Sequence, residues 1–144
     1  GLPVSWHIGK AKEQLGLPGS LADYRKAHDD MPFCKQNLND LGAAEYACGN
    51  IEAAVAHFKK AMQISSGFLY PYFNLSYIYL KNNDLDKANA VISAIKMDEN
   101  VKNILINDAV FFENENIEDT KKRIESEYQT TMKLHRTLTH LQGK

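Results

Sequence analysis

Residues 38–62 read LNDLGAAEYACGNIEAAVAHFKKAM, two apolar stripes separated by Gly49 and Asn50. On both sides of this pair, apolar residues recur every three to four positions, as they do on one face of an α-helix. A Gly-Asn pair between two periodic segments is a turn signal. The stretch therefore predicts two helices that fold back on each other as one antiparallel hairpin.

The same pattern recurs along the chain at an interval of 34 residues. In three copies a small residue is followed four positions later by a large apolar one: Ser20 and Tyr24, Ala54 and Phe58, Ala88 and Ile92. A period of 34 residues is typical of helical-hairpin solenoids, in which each hairpin buries its apolar face on the next. We expect a single all-α domain over residues 1–144, with repeats at about 1–34, 35–68 and 69–102 and a degenerate capping hairpin at 101–142.

The apolar stripes and turn signals also predict where each helix begins and ends. We expect helices at 4–15, 20–30, 36–48, 51–64, 69–81, 85–96, 101–113 and 117–141, to within about 2–4 residues. Ser20 and Asn116 are the expected N-caps of the second and last helices. Pro71 falls in the first turn of its helix, where the missing N–H costs little.

Composition excludes several classes of partner. The formal net charge is −1, so no overall field attracts nucleic acid. No apolar run reaches the roughly 18 residues of a membrane span, and we expect no direct membrane insertion by this segment.

Cys34 and Cys48 stand at the two ends of one predicted helix, about 20 Å apart, which is too far for a disulfide. We expect two free thiols.

No motif for catalysis or metal binding is present in the sequence. The five histidines are not spaced three or four residues from one another, as metal ligands on a helix would be: His7, His28, His57, His135 and His140. There is no nucleophile elbow and no glycine-rich phosphate loop. We expect no catalytic residues, no metal and no cofactor.

The repeat residues resemble the tetratricopeptide repeat (TPR) family. The residues that carry the resemblance are Leu38, Leu41, Gly42, Tyr46, Ala54, Phe58 and Ala61 in one repeat and Tyr72, Leu75, Ser76, Tyr79 and Ala88 in the next. The family's closing proline is present only as Pro32, and Ser66 and Asn100 stand in its place in the other copies. The resemblance implies a right-handed α-α superhelix built from helical hairpins.

In this family the first helix of each hairpin forms a concave wall, which is where peptides usually bind. By resemblance, the groove residues are Asn39, Asp40, Ala43, Tyr46, Tyr70, Phe73, Asn74 and Tyr77. Aromatic side chains serve as binding anchors because each buries a large surface area while losing the freedom of only a few rotatable bonds. The expected function is a non-catalytic module that binds a peptide or helical segment of a partner protein. The alternative is that these aromatic side chains only pack against neighbouring helices.

The same family resemblance disfavours one class of ligand. TPR modules that bind the acidic tails of chaperones place Lys, Arg and Asn on this wall, and the matching positions here are Ser5, Gly9, Asp40, Tyr70 and Asn74. Asp40 would meet an acidic tail with no basic partner beside it, so we expect no such ligand.

The last helix is longer than a repeat helix needs to be. Its apolar stripe runs through Ile124, Tyr128, Leu134, Leu138 and Leu141. The chain itself, a second copy or missing sequence must cover such a stripe. We expect its first half to pack on the preceding hairpin and its second half, from Met132, to contact another chain or another part of a longer protein.

Two alternative functions follow. One is an oligomerising scaffold that forms a homo-oligomer through this helix. The other is an appendage of a larger, membrane-embedded bacterial cell-surface polysaccharide enzyme, since the missing initiator Met and the atypical first repeat favour a fragment.

Overall fold

A computed structural model describes residues 1–112 and 116–143, and it places eight α-helices in these ranges. The helices are α1 (Val4–Gln14), α2 (Ser20–Asp30), α3 (Lys35–Ala47), α4 (Ile51–Ile64), α5 (Tyr70–Lys81), α6 (Leu85–Ala94), α7 (Glu99–Phe112) and α8 (Ile117–Gln142). No strand occurs in the described ranges. The predicted all-α class and helix positions are confirmed, except that residue 113, the predicted end of the seventh helix, lies outside the described residues.

The turns explain where two of the helices begin. Gly49 has φ 85°, which confirms the predicted break between α3 and α4. Gly19, with φ 100°, is the N-cap of α2, and Ser20 is already the first helical residue. The prediction that Ser20 caps α2 is wrong because the chain turns through the left-handed conformation at Gly19, which leaves Ser20 inside the helix.

Asn116 caps α8 as predicted. Its side-chain oxygen accepts hydrogen bonds from the backbone N–H groups of Glu118, at 3.0 Å, and Asp119, at 3.3 Å. The first N–H groups of a helix have no partner within it, so this cap satisfies two of them.

Asn116→Ala should therefore lower the free energy of unfolding by about 0.5–2 kcal/mol. Asn116→Asp is the matched control, because its carboxylate keeps the acceptor and its charge suits a helix N-terminus. Urea unfolding followed by circular dichroism would measure both variants. An aspartate variant as unstable as the alanine variant would contradict the role of the cap.

The chain forms two compact units, Gly1–Leu75 and Ser76–Lys144, and α5 runs from the first into the second. In the first unit α1 packs on α2, α2 on α3, and α3 on α4. Tyr24, Leu41 and Ala44 form one part of its core, against which Trp6 and Leu21 pack. The prediction of one domain over the whole chain stays a prediction.

In the second unit, α8 packs against both α6 and α7. Ile124 and Leu138 are 1% and 4% exposed, and Leu134 and Leu141 are half-buried. The expectation that the second half of α8 needs an outside partner is wrong for Leu138, which the chain itself covers. Homo-oligomer formation through this helix stays a prediction.

Small residues stand at buried positions of α3, α4 and α6. Ala54, Ala61 and Ala88 are fully buried, as helices packed about 8–10 Å apart require. Gly42 lies under the ring of Phe58, and a Cβ atom added at Gly42 would come 2.7 Å from the ring carbon Cε1. The repeat pattern of small and large apolar residues is thus a packing pattern.

Candidate functional site

A pocket of about 260 Å³ opens in the first unit beside α1, α3 and the start of α5. Its lining residues are Trp6, Gln36, Asn39, Asp40, Phe68 and Tyr70. We refer to it as the α3 pocket. Three of the predicted groove residues, Asn39, Asp40 and Tyr70, thus lie around one cavity.

Asp40 is held by two donors from α1. The indole Nε1 of Trp6 donates to Asp40 Oδ2 at 2.7 Å, and Lys10 Nζ lies 2.9 Å from Oδ1. Lys10 Nζ also lies 5.6 Å from the centre of the Trp6 ring and 3.4 Å from Glu13 Oε2. Both carboxylate oxygens of Asp40 are therefore engaged, which fixes the indole at the edge of the pocket.

The position of Lys10 contradicts one expectation drawn from the sequence. Asp40 was expected to have no basic partner, but Lys10 reaches it from α1 because a lysine side chain is long enough to span neighbouring helices. Burial lowers the pKa of Lys10, but the hydrogen bonds and charges of Asp40 and Glu13 outweigh it, so the pKa is raised above its ordinary value. The lysine therefore stays charged and neutralises Asp40 at physiological pH.

Two side-chain amides meet beside the pocket. Asn74 Nδ2 donates to Asn39 Oδ1 at 2.9 Å, which joins α5 to α3. A side-chain amide carries two N–H donors and an oxygen that can accept two hydrogen bonds. This pairing uses one donor of Asn74 and one acceptor position of Asn39, so both amides keep hydrogen-bonding capacity for a ligand.

Aromatic side chains continue from the pocket along the start of α5. Edge contacts join Phe68 to Tyr70 and Tyr70 to Phe73, with ring centres 5.5 and 6.3 Å apart. Lys35 Nζ lies 5.3 Å from the centre of the Phe68 ring. Tyr70 is 38% exposed and Phe73 is half-buried, so neither ring is fully buried in the core.

Three other predicted groove residues, Ala43, Tyr46 and Tyr77, are not among the lining residues of the α3 pocket. Ala43 is exposed and lines a different pocket, together with Leu21 and Cys48. Tyr46 is half-buried near the end of α3. Tyr77 belongs to the second unit, is 54% exposed and has Lys81 Nζ 5.7 Å from the centre of its ring. That these eight residues form the binding groove of the chain stays a prediction.

Four residues at the α3 pocket were missed in the sequence: Trp6, Lys10, Gln36 and Phe68. The repeat phase carried a signal for two of them, since Trp6 precedes Asp40 by 34 residues and Gln36 precedes Tyr70 by the same interval. Equivalent positions of adjacent first helices are neighbours in a helical-hairpin array. Phe68 lies in the connection before α5, where helical periodicity gives no signal.

The remaining chemistry-bearing groups add little to this site. Cys34 and Cys48 are free thiols, as predicted. Within residues 1–112 and 116–143, no three His, Cys, Asp or Glu side chains come together as a metal-ion site. None of the helices described is long and apolar enough to cross a membrane.

Comparison with known protein families supports the repeat interpretation. The family model of the tetratricopeptide repeat matches residues 45–103, a stretch that begins in α3 and ends in α7. No curated protein matches the chain.

Proposed function

From the premise that residues 45–103 belong to the tetratricopeptide repeat family, we propose that the chain binds an extended segment of a partner protein at the α3 pocket. Tetratricopeptide repeats are helical modules that typically mediate protein–protein interaction and carry no catalysis. The observation that carries the proposal is the α3 pocket itself, in which aromatic and amide side chains meet beside the first helices of successive hairpins.

The lining of the pocket suits a peptide with a large apolar side chain. Trp6, Phe68 and Tyr70 offer rigid aromatic surface, which binds an apolar group at low cost in rotamer entropy. Asn39 and Asn74 offer amide groups of the same chemistry as the peptide bond, so they suit the main chain of an extended ligand. The proposed ligand places an apolar side chain in the pocket and its backbone along the two amides.

An acidic chain terminus fits this pocket less well. Lys10 is neutralised by Asp40 and Glu13, so a ligand carboxylate would have to compete with two carboxylates of the protein itself. Asp40 would also repel the incoming charge. Acidic tails are therefore disfavoured although a cation is present, because Lys10 is already paired within the protein.

The test is the selection of binders from a displayed library of unstructured peptides, followed by calorimetric titration of a selected peptide. Tyr70→Ala should weaken binding by about 1–3 kcal/mol, roughly 5- to 150-fold in Kd, because an anchor of the pocket is removed. The matched control is Phe33→Ala, which removes a 71% exposed aromatic side chain outside the pocket. The control should leave Kd unchanged.

The proposal also predicts the character of the selected peptides. The selected peptides should share a large apolar residue. Changing this peptide residue to alanine should weaken binding to the wild-type protein far more than binding to the Tyr70→Ala protein. Equal losses for Tyr70→Ala and Phe33→Ala would contradict the site. Binders that are indifferent to both variants would contradict it as well.

A further inference from the structure

Three titratable side chains from three successive helices meet in the first unit, and the proposed function uses none of them. They are His28 of α2, Glu45 of α3 and His57 of α4. Glu45 is buried, and its Oε1 atom pairs with Nδ1 of His57. The His28 and His57 rings meet in an edge contact, with their centres 5.3 Å apart. We refer to these residues as the histidine cluster.

His28 is the member of the cluster without a hydrogen bond to its buried nitrogen. Its Nδ1 atom is buried and has no partner among the described residues. In the neutral imidazole this nitrogen can stay a bare acceptor, with the proton on Nε2. Protonation would create a buried N–H donor at Nδ1 without an acceptor, together with a positive charge.

The surroundings of His28 do not compensate for such a charge. Burial lowers the pKa of His28 most, and the charges of His57 and Lys60 on α4 lower it further. Asp29 on α2 and Glu45 on α3 act in the opposite direction, but more weakly. Glu45 is already paired with His57, so its carboxylate is not a dedicated counter-ion for His28.

We propose that the histidine cluster is an acid-sensitive contact, in which protonation of His28 weakens the packing of α2 on the α3–α4 hairpin. The inference is independent of the α3 pocket, which none of the three residues lines. It makes the stability of the first unit depend on pH in the range where imidazoles titrate.

The sign of the dependence follows from proton linkage. The pKa of His28 in the folded chain lies below its ordinary value of 6.5, so the unfolded chain binds more protons in the interval between the two values. The contribution of neutral His28 is fully present above the ordinary pKa. It is lost progressively as pH falls through the folded pKa.

The first experiment is denaturant unfolding of the full chain at about pH 7.5 and about pH 5, on either side of the imidazole pKa. His28→Phe keeps an aromatic ring but cannot titrate, and His140→Phe is the matched control at an exposed position on α8. The unfolding midpoint of the wild type and of the control should fall more on acidification than that of His28→Phe. Equal falls in all three proteins would overturn the proposal.

The second experiment needs no variant to fold. NMR titration of the histidine ring protons in the wild-type chain should show His28 titrating below 6.5. Titration of His28 at or above 6.5 would overturn the proposal, even if His28→Phe proved insoluble.

Discussion

Phe58→Ala is expected to lower the free energy of unfolding by about 3–5 kcal/mol. Phe58 is 1% exposed in α4, and its ring lies against Gly42 of α3, where no side chain could move in to fill the space. Domains of this size are stable by only about 5–15 kcal/mol, so the variant should be close to unfolding. Guanidinium unfolding followed by circular dichroism would measure the loss.

The control for this prediction is Phe33→Ala. Phe33 is 71% exposed, and its described contact is with Lys60, whose Nζ atom lies 4.7 Å from the ring centre. An exposed cation–π contact contributes about 0.5–1 kcal/mol, so the control should lose no more than that. Similar losses in the two variants would show that Phe58 is not a core residue of the hairpin.

Gly42→Leu should lower the free energy of unfolding by about 2 kcal/mol. Even a Cβ atom at Gly42 would lie 2.7 Å from Cε1 of Phe58, and the larger side chain forces the ring or the helix to move. Overpacking of this kind costs up to about 3 kcal/mol, and replacing a helical glycine recovers about 1 kcal/mol. The clash therefore exceeds the gain in helix propensity.

The double variant Gly42→Leu/Phe58→Ala tests whether the two residues oppose each other as described. In the absence of the Phe58 ring, leucine at Gly42 has space to fill and should stabilise the chain relative to Phe58→Ala alone. Ala43→Leu, at the exposed neighbouring position of α3, should change stability by less than about 0.5 kcal/mol. Additive losses in the double variant would contradict the Gly42–Phe58 contact.

The sequence predicts the helices of this chain well because its strongest signals are local. The spacing of apolar residues locates α3 and α4, and Gly49 marks the turn between them. Asn116 is recognisable as a cap from the sequence because its side-chain oxygen accepts hydrogen bonds from backbone N–H groups within the next three residues. The start of α2 was misjudged by one position, since Ser20 and Gly19 are both acceptable N-cap residues and only the backbone decides between them.

The candidate site is predicted less completely, for a physical reason. Asn39, Asp40 and Tyr70 follow from the position of the first helices, which the repeat pattern fixes. Lys10 pairs with Asp40 across two helices, and such a contact depends on the reach of a flexible side chain rather than on its place in the pattern. The burial of Leu138 also depends on tertiary packing, which the length of the apolar stripe does not determine.

The hydrogen bond from Trp6 to Asp40 joins equivalent positions of adjacent repeats that carry different residue types. A consequence is that the first two repeats of this chain are not interchangeable, although they share one period. Inserting a further 34-residue repeat that carries neither of these residues between α2 and α3 would separate Trp6 from Asp40 and leave the Asp40 carboxylate without its indole donor. The 34-residue period allows further repeats to be added, whereas the α3 pocket depends on the order of the first two repeats.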